Sequence, residues 1–247
     1  MIVELFGPPG SGKTFFAHVL ASRLREDGYR AEVVRSYRPA IRSGPLDLGV
    51  FLFVARIVSA TISTAHVIFF PRNGASNLSK SLLMLRAIPP KKPIWRARIL
   101  QQILKLSHAW DRARLAQDIL VFDEGYVQAV GSLASLNGNA DKANLETVLS
   151  NIPVADLTIR VVVPRATVAA RLRRRMESEP PGERLFEADF EVNMRSLSVF
   201  KTISDMLAMS GRDVIYARTS SQRSTIKSMQ VVEQAIIAKY VLGQNGW

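Results

Sequence analysis

The sequence predicts a three-layer α/β fold, in which parallel strands form a central sheet with helices packed on both faces. Three observations lead to this prediction. The chain opens as an apolar strand, a glycine-rich loop and a helical segment, and short apolar runs then alternate with helical segments. One later run ends in two carboxylates followed by glycine. The 247 residues, 47% of them hydrophobic, suffice for one large domain with a buried core.

The glycine loop follows the first predicted strand, residues 2–6. Residues 7–14 read Gly-Pro-Pro-Gly-Ser-Gly-Lys-Thr, the complete pattern of a phosphate-binding loop. Because proline has no N–H group, phosphate oxygens would be bound by the backbone from Gly10 onward. The Lys13 side chain would reach the β- and γ-phosphates, and the Thr14 hydroxyl would bind Mg²⁺. The candidate nucleotide-binding residues are Gly7, Gly10, Ser11, Gly12, Lys13 and Thr14.

The next segments predict a β-α-β unit and then a long helical insertion. A helix over residues 15–24 ends at an Asp-Gly break, and residues 31–35 form the second strand. Residues 44–116 are predicted to be inserted between core strands, with helices at 76–88 and 94–116 separated by prolines.

Part of this insertion, residues 46–70, is apolar over a length that could span a membrane. Arg56 lies near the middle of the stretch, and the Ser/Thr/Ala run at 59–65 is only weakly hydrophobic. These features favour a buried or groove-lining helix over a membrane span.

The positive charge is concentrated in the insertion. The chain has a net charge of +12, and residues 71–116 carry ten basic residues against a single acid, Asp111. Such a surface attracts anions, so this segment could bind peripherally to a membrane surface or contact another anionic partner. The alternative is a helical face that is merely solvated.

The third predicted strand, residues 118–122, is followed by Asp123, Glu124 and Gly125. A buried parallel strand of this kind has its carboxyl end at the ligand crevice. Asp123 would orient the Mg²⁺ ion held by Thr14, and Glu124 is placed to accept a proton from an attacking hydroxyl or water.

A fourth strand at 157–163 precedes a helix at 166–176 that carries Arg171 and Arg175 on one face, at spacing i, i+4. A proline- and glycine-containing loop follows at 179–184. Two such arginines beside a hinging loop suit phosphoryl transfer, because a closing lid delivers positive charge and excludes water. The alternative is a solvated basic helix end.

The last third of the chain predicts a helix at 186–207 with a core-facing apolar stripe, a final strand at 213–217 and a closing helix at 222–242. The absence of cysteine excludes disulfides and cysteine zinc sites, and three histidines make a histidine metal cluster improbable. Mg²⁺ bound by oxygen is the expected metal. Because the first strand begins at residue 2, we expect no cleavable leader and a cytoplasmic location.

Together these residues resemble the thymidylate kinase-like branch of P-loop nucleoside and nucleotide kinases. The resemblance covers about residues 1–40 and 118–240, and rests on four features: the loop at 7–14, the strand ending in Asp123, the strand–proline–helix unit with Arg171 and Arg175, and the segment 183–187. It implies a P-loop NTPase fold with a parallel five-stranded sheet, ATP with Mg²⁺, and a lid region at about 165–187. It also makes Arg184 a candidate lid or substrate-binding residue.

Two departures leave the acceptor open. Such kinases commonly carry Asp-Arg at the end of the third core strand, whereas Glu124 stands here in place of the arginine. The acidic residue expected after the second strand is also missing. Arg38 could instead bind an anionic acceptor, or it could be an ordinary surface arginine.

The sequence supports two functions. The first is a small-molecule kinase that transfers the γ-phosphoryl group of ATP to a nucleotide-, nucleoside- or sugar-like acceptor. The second is an ATPase or nucleotide-gated binding protein in which Asp123 and Glu124 polarise water. The arginines favour the first and the paired carboxylates favour the second. The sequence lacks the Asn-Lys-x-Asp of GTPases and the Leu-Ser-Gly-Gly-Gln of transporter ATPases.

Overall fold

The structure, a computed structural model, describes residues 1–35, 74–178 and 188–244. Within these residues five parallel strands form one sheet in the order β2-β3-β1-β4-β5. The strands are β1 Ile2–Phe6, β2 Ala31–Val34, β3 Ile119–Phe122, β4 Leu157–Val162 and β5 Val214–Arg218. The predicted α/β fold with a parallel five-stranded sheet is therefore confirmed, and each predicted strand agrees to within one residue at either end.

The described residues form eight helices: α1 Lys13–Glu26, α2 Gly74–Ala87, α3 Pro93–Leu115, α4 Tyr126–Asn137, α5 Lys142–Asn151, α6 Arg165–Ser178, α7 Phe190–Met209 and α8 Gln222–Gln244. Six correspond to predicted helices, although α7 begins at Phe190 and not at 186. Helices α4 and α5 were not predicted from the sequence. The first six residues of α4 are all buried, so the start of this helix has no solvent-exposed face.

The helices cover both faces of the sheet. Because side chains alternate along a strand, Val3 and Leu5 of β1 pack against α1 and α8 on one face. Ile2 and Phe6 pack on the other face, in a larger core that α2, α3, α4, α5 and α7 contribute to. The central strand is therefore buried on both sides, as is typical of a parallel sheet.

Helix α3, from the predicted insertion, is part of this larger core. Its Trp110 is 1% exposed and packs against Phe122 of β3 and Tyr126 of α4, with ring centroids 4.8 and 5.1 Å apart. Its basic residues lie mostly on the outer surface. The apolar stretch at 46–70 lies outside the described residues. Of the helices that the structure does describe, none has the length and apolar character to cross a bilayer.

Candidate active site

The loop at 7–14 connects β1 to α1 at the carboxyl end of the sheet. Gly12 is the N-terminal cap of α1 and has a φ of 91°, a conformation that side-chain-bearing residues rarely adopt. A Cβ atom at Gly7 would lie 2.7 Å from the carbonyl oxygen of Val161 in β4. No side chain of the described residues caps α1, so its first N–H groups lie at an uncapped helix terminus suited to an anion.

The Lys13 side chain is held inside the loop. It is 7% exposed, and its Nζ donates to the carbonyl oxygens of Gly7 and Pro8 at 2.9 and 3.3 Å. These carbonyls keep the ammonium group beside the loop backbone that would surround a phosphate chain.

Thr14 and Asp123, the predicted metal-binding residues, lie together. The Thr14 hydroxyl donates to Asp123 Oδ2 at 3.2 Å, and Asp123, the residue after β3, is 4% exposed. A hydroxyl and a carboxylate are the hard oxygen ligands that Mg²⁺ prefers, so the pair fits this ion. Within the three described ranges no group of three or more histidine or acidic side chains could hold a metal. An ion here would take its remaining ligands from phosphate and water.

Two side chains that the sequence analysis did not single out hold the loop from outside. Gln128 of α4 is 4% exposed and accepts a hydrogen bond from the backbone N–H of Gly7 at 3.0 Å. Thr219, after β5, donates its hydroxyl proton to the carbonyl oxygen of Ser11 at 3.1 Å. Both partners lie more than 100 residues away along the chain, so no local pattern marks them.

Helix α6 lies against the same loop. Arg171 Nη1 donates to the carbonyl oxygen of Gly10 at 3.0 Å, and a Cβ at Gly10 would contact Leu172. Arg175 is one turn further along α6 and is half-buried. The other two predicted site residues, Arg38 and Arg184, lie outside the described residues.

Glu124 lies at the boundary between the sheet and α3. It is half-buried, and its Oε2 accepts a hydrogen bond from Gln102 Nε2 of α3 at 3.3 Å. A helix of the predicted insertion therefore contacts the candidate proton acceptor. Gln102 is another residue that the sequence analysis did not identify.

A further carboxyl group, that of Glu4 in the middle of β1, is buried beneath these residues. Its Oε2 accepts a hydrogen bond from the backbone N–H of Val127, in the first turn of α4, at 3.1 Å. Burial raises the pKa of Glu4 to about 7, and the Val127 hydrogen bond only partly opposes this effect.

Comparison with known proteins gives a structural similarity only. No protein-family model matches the sequence, and no curated protein matches it. Among solved structures, deoxyadenosine kinase from M. mycoides with bound dATP superposes with a TM-score of 0.53 at 13% identity, covering 94% of this chain and 98% of that one. The same kinase with dCMP and dCDP bound gives a TM-score of 0.49 at 12% identity, covering 96% of this chain and all of the other.

The first of these similarities establishes the fold. The chain has the three-layer α/β fold of P-loop kinases, with the loop at 7–14 and Asp123 at the carboxyl end of its sheet.

Proposed function

We propose that this chain is a P-loop phosphotransferase, which moves the γ-phosphoryl group of ATP to a small-molecule acceptor that is nucleotide-, nucleoside- or sugar-like. The observation that carries this proposal is the contact of Arg171 Nη1 with the Gly10 carbonyl oxygen at 3.0 Å, which places a cation of α6 at the phosphate loop. A guanidinium group held over the phosphate loop would lie where negative charge develops on the transferred group.

We assign each described site residue a role in binding ATP, binding Mg²⁺ or stabilising the transferred group. The backbone of the loop and the Lys13 ammonium group would bind the phosphate chain. Thr14 and Asp123 would hold Mg²⁺, which when bound screens the charge on the β- and γ-phosphates. Arg171 and Arg175 would stabilise the transferred group from α6 and help to exclude water.

Glu124 is the proposed proton acceptor for an acceptor hydroxyl. It is half-buried at the end of β3, and the Gln102 amide orients its carboxylate. A carboxylate in such a position takes the proton that an attacking hydroxyl loses. A phosphate acceptor would need no such base.

The thymidylate kinase-like branch is our proposal for the nearest relatives, and it rests on the motifs of the sequence. The similarity to a deoxyadenosine kinase, whose structure contains dATP, supports an acceptor of the nucleoside or nucleotide class. Arg38 and Arg184 are proposed to bind that acceptor.

One observation favours an ATPase as the second candidate. Asp123 and Glu124 are adjacent, and Glu124 is half-buried, so it could orient a water molecule as well as a hydroxyl. The exposed cations of the insertion, which include Lys92, Arg96, Arg112 and Arg114, would then serve an anionic partner or membrane surface. We keep a cytoplasmic location, where ATP and Mg²⁺ are available, as part of either proposal.

A single assay separates the two candidates. The protein is incubated with γ-labelled ATP, Mg²⁺ and sets of nucleosides, nucleoside monophosphates and sugars, and both labelled acceptor and free labelled phosphate are measured. Label on an acceptor that disappears in Lys13→Ala supports the kinase. Free phosphate alone, released briskly and lost in Lys13→Ala, would overturn the kinase proposal in favour of the ATPase.

A further inference from the structure

Glu4 occupies a place where a carboxyl group is unfavourable. It is in the central strand of the sheet and is 0% exposed. Its neighbours in the strand register are Phe122 of β3 and Thr158 of β4. Burial of a carboxyl group costs several kcal/mol unless it is well hydrogen-bonded, so an apolar residue would stabilise this position better.

The Glu4 side chain meets the turn that follows β3. Its Oε2 accepts the N–H of Val127, while Gly125, the N-terminal cap of α4, offers no side chain of its own for capping. A Cβ atom at Gly125 would collide with the Glu4 carboxyl group. Glu4 therefore caps α4 from the neighbouring strand, and the glycine is required because the carboxyl group approaches its backbone closely.

We propose that Glu4 is a positioning residue: its carboxyl group fixes the turn of Asp123, Glu124 and Gly125, and thereby sets the positions of both acidic side chains relative to the phosphate loop. The role in activity rests on the proposed function, whereas the role in fixing the turn does not.

The turn is held at both of its ends. At its start the N–H of Asp123 donates to the carbonyl oxygen of Val34 in β2 at 3.4 Å, a long and weak hydrogen bond. At its far end Glu4 binds the first turn of α4. If the turn of residues 123–125 shifted, the Asp123 carboxylate would move away from the Thr14 hydroxyl, to which Asp123 Oδ2 is hydrogen-bonded at 3.2 Å. Gln128, in the adjoining first turns of α4, would move relative to the Gly7 N–H group that it binds.

Arg212, between α7 and β5, compensates part of the Glu4 charge. It is half-buried, donates to the carbonyl oxygen of Leu149, and attracts the Glu4 carboxylate electrostatically. The charge of the same carboxyl group also acts on the buried phenol of Tyr126, which shares a hydrogen bond with Ser107.

Three variants test the positioning role. Glu4→Leu removes the acceptor, Glu4→Gln retains a carbonyl oxygen for the Val127 N–H, and Gly125→Ala pushes on the turn from the opposite side. Glu233→Leu is the matched control, because Glu233 is 6% exposed and pairs with Arg23 on α1, away from the loop. We measure kcat, the KM for ATP, the Mg²⁺ concentration for half-maximal activity, and hydrogen exchange of the peptide spanning 123–130.

We expect Glu4→Leu and Gly125→Ala to raise the Mg²⁺ requirement roughly tenfold and to lower kcat more than they change the KM for ATP. Exchange in 123–130 should rise in both and be largely restored in Glu4→Gln. Glu233→Leu should leave all four quantities near their wild-type values, whatever its effect on stability. If Glu4→Leu does not fold, Gly125→Ala is compared with the wild type and with Glu233→Leu in its place.

Folded Glu4→Leu or Gly125→Ala with wild-type exchange and wild-type Mg²⁺ dependence would overturn the positioning role. If the wild-type protein neither transfers the γ-phosphoryl group of ATP nor hydrolyses ATP, the proposed function is wrong. The exchange comparison would then decide by itself whether Glu4 fixes the turn.

Discussion

Gln128 Oε1 accepts a hydrogen bond from the backbone N–H of Gly7 at 3.0 Å, although 121 residues separate the two along the chain. This bond ties the first turn of α4 to the first residue of the phosphate loop. With the Glu4 bond to Val127 at 3.1 Å, it gives α4 two attachments to β1 and its loop. The position of α4 therefore affects both the loop and the carboxylates after β3.

Replacement of Gln128 tests this connection. Gln128→Met keeps the volume but leaves a buried N–H group without its acceptor, which should lower the free energy of unfolding by about 1–3 kcal/mol and raise the KM for ATP. Ser135→Ala is the control, because it removes a hydrogen bond from Ser135 to Gly131 on the same helix. Equal KM values in the two variants would show that Gln128 does not shape the loop.

Loss of the Asp123 charge should weaken the metal site. We expect Asp123→Asn to raise the Mg²⁺ concentration for half-maximal activity roughly tenfold or more, because the carboxylate would orient the ion beside Thr14. Asp118→Asn removes the same charge at the opposite end of β3, where Asp118 pairs with Arg30 at the surface. A Mg²⁺ titration in which both variants match the wild type would place the metal elsewhere.

The arginines of α6 should act on the rate. Arg171→Ala and Arg175→Ala should each lower kcat roughly 100-fold and change the KM for ATP much less, because they would stabilise charge that develops during transfer. Arg174→Ala removes the same charge from an exposed position on the same helix and should behave like the wild type. Should Arg171→Ala change only ATP affinity, the side chain would be a ground-state contact.

Glu124→Gln distinguishes the two candidate functions in one preparation. In a kinase with a hydroxyl acceptor, labelled product should fall about 100-fold or more, while ATP hydrolysis stays low before and after the change. In an ATPase, hydrolysis should be lost while ATP remains bound. Glu146→Gln on the exposed face of α5 serves as control. Full transfer activity in Glu124→Gln would exclude a proton-accepting role.

The buried carboxyl group of Glu4 should make stability depend on pH. The pKa of Glu4 is about 7 in the folded chain, against an ordinary value of 4.5. Between these two pH values the folded state therefore holds a proton that the unfolded state has released. The free energy of unfolding should therefore fall as pH rises from about 4.5 to 7, by about 3 kcal/mol in total.

The variant Glu4→Gln lacks this titration, whereas the other titrating groups are common to both proteins. Its stability relative to the wild type should therefore be greater at pH 8 than at pH 4.5, as measured by urea unfolding at each pH. A constant difference across this range would show that Glu4 does not titrate with a raised pKa.

The sequence by itself determined the strands, the phosphate loop and Asp123. Each of these is a local pattern: an apolar run of strand length, an eight-residue motif, or a carboxylate directly after a buried strand. Helix α5, which was not predicted, also carries a local signal in the sequence, since Asp141 caps it by accepting the N–H of Asn144 at 2.7 Å.

Only the tertiary structure decided which distant side chains support the loop and the turn. Glu4, Gln102, Gln128 and Thr219 have ordinary sequence surroundings, and their partners lie 22 to 208 residues away. The strand order places β1 between β3 and β4, and the register sets Glu4 level with Phe122, one residue before Asp123. These contacts depend on sheet order and register, which are set by long-range packing that a local pattern does not contain.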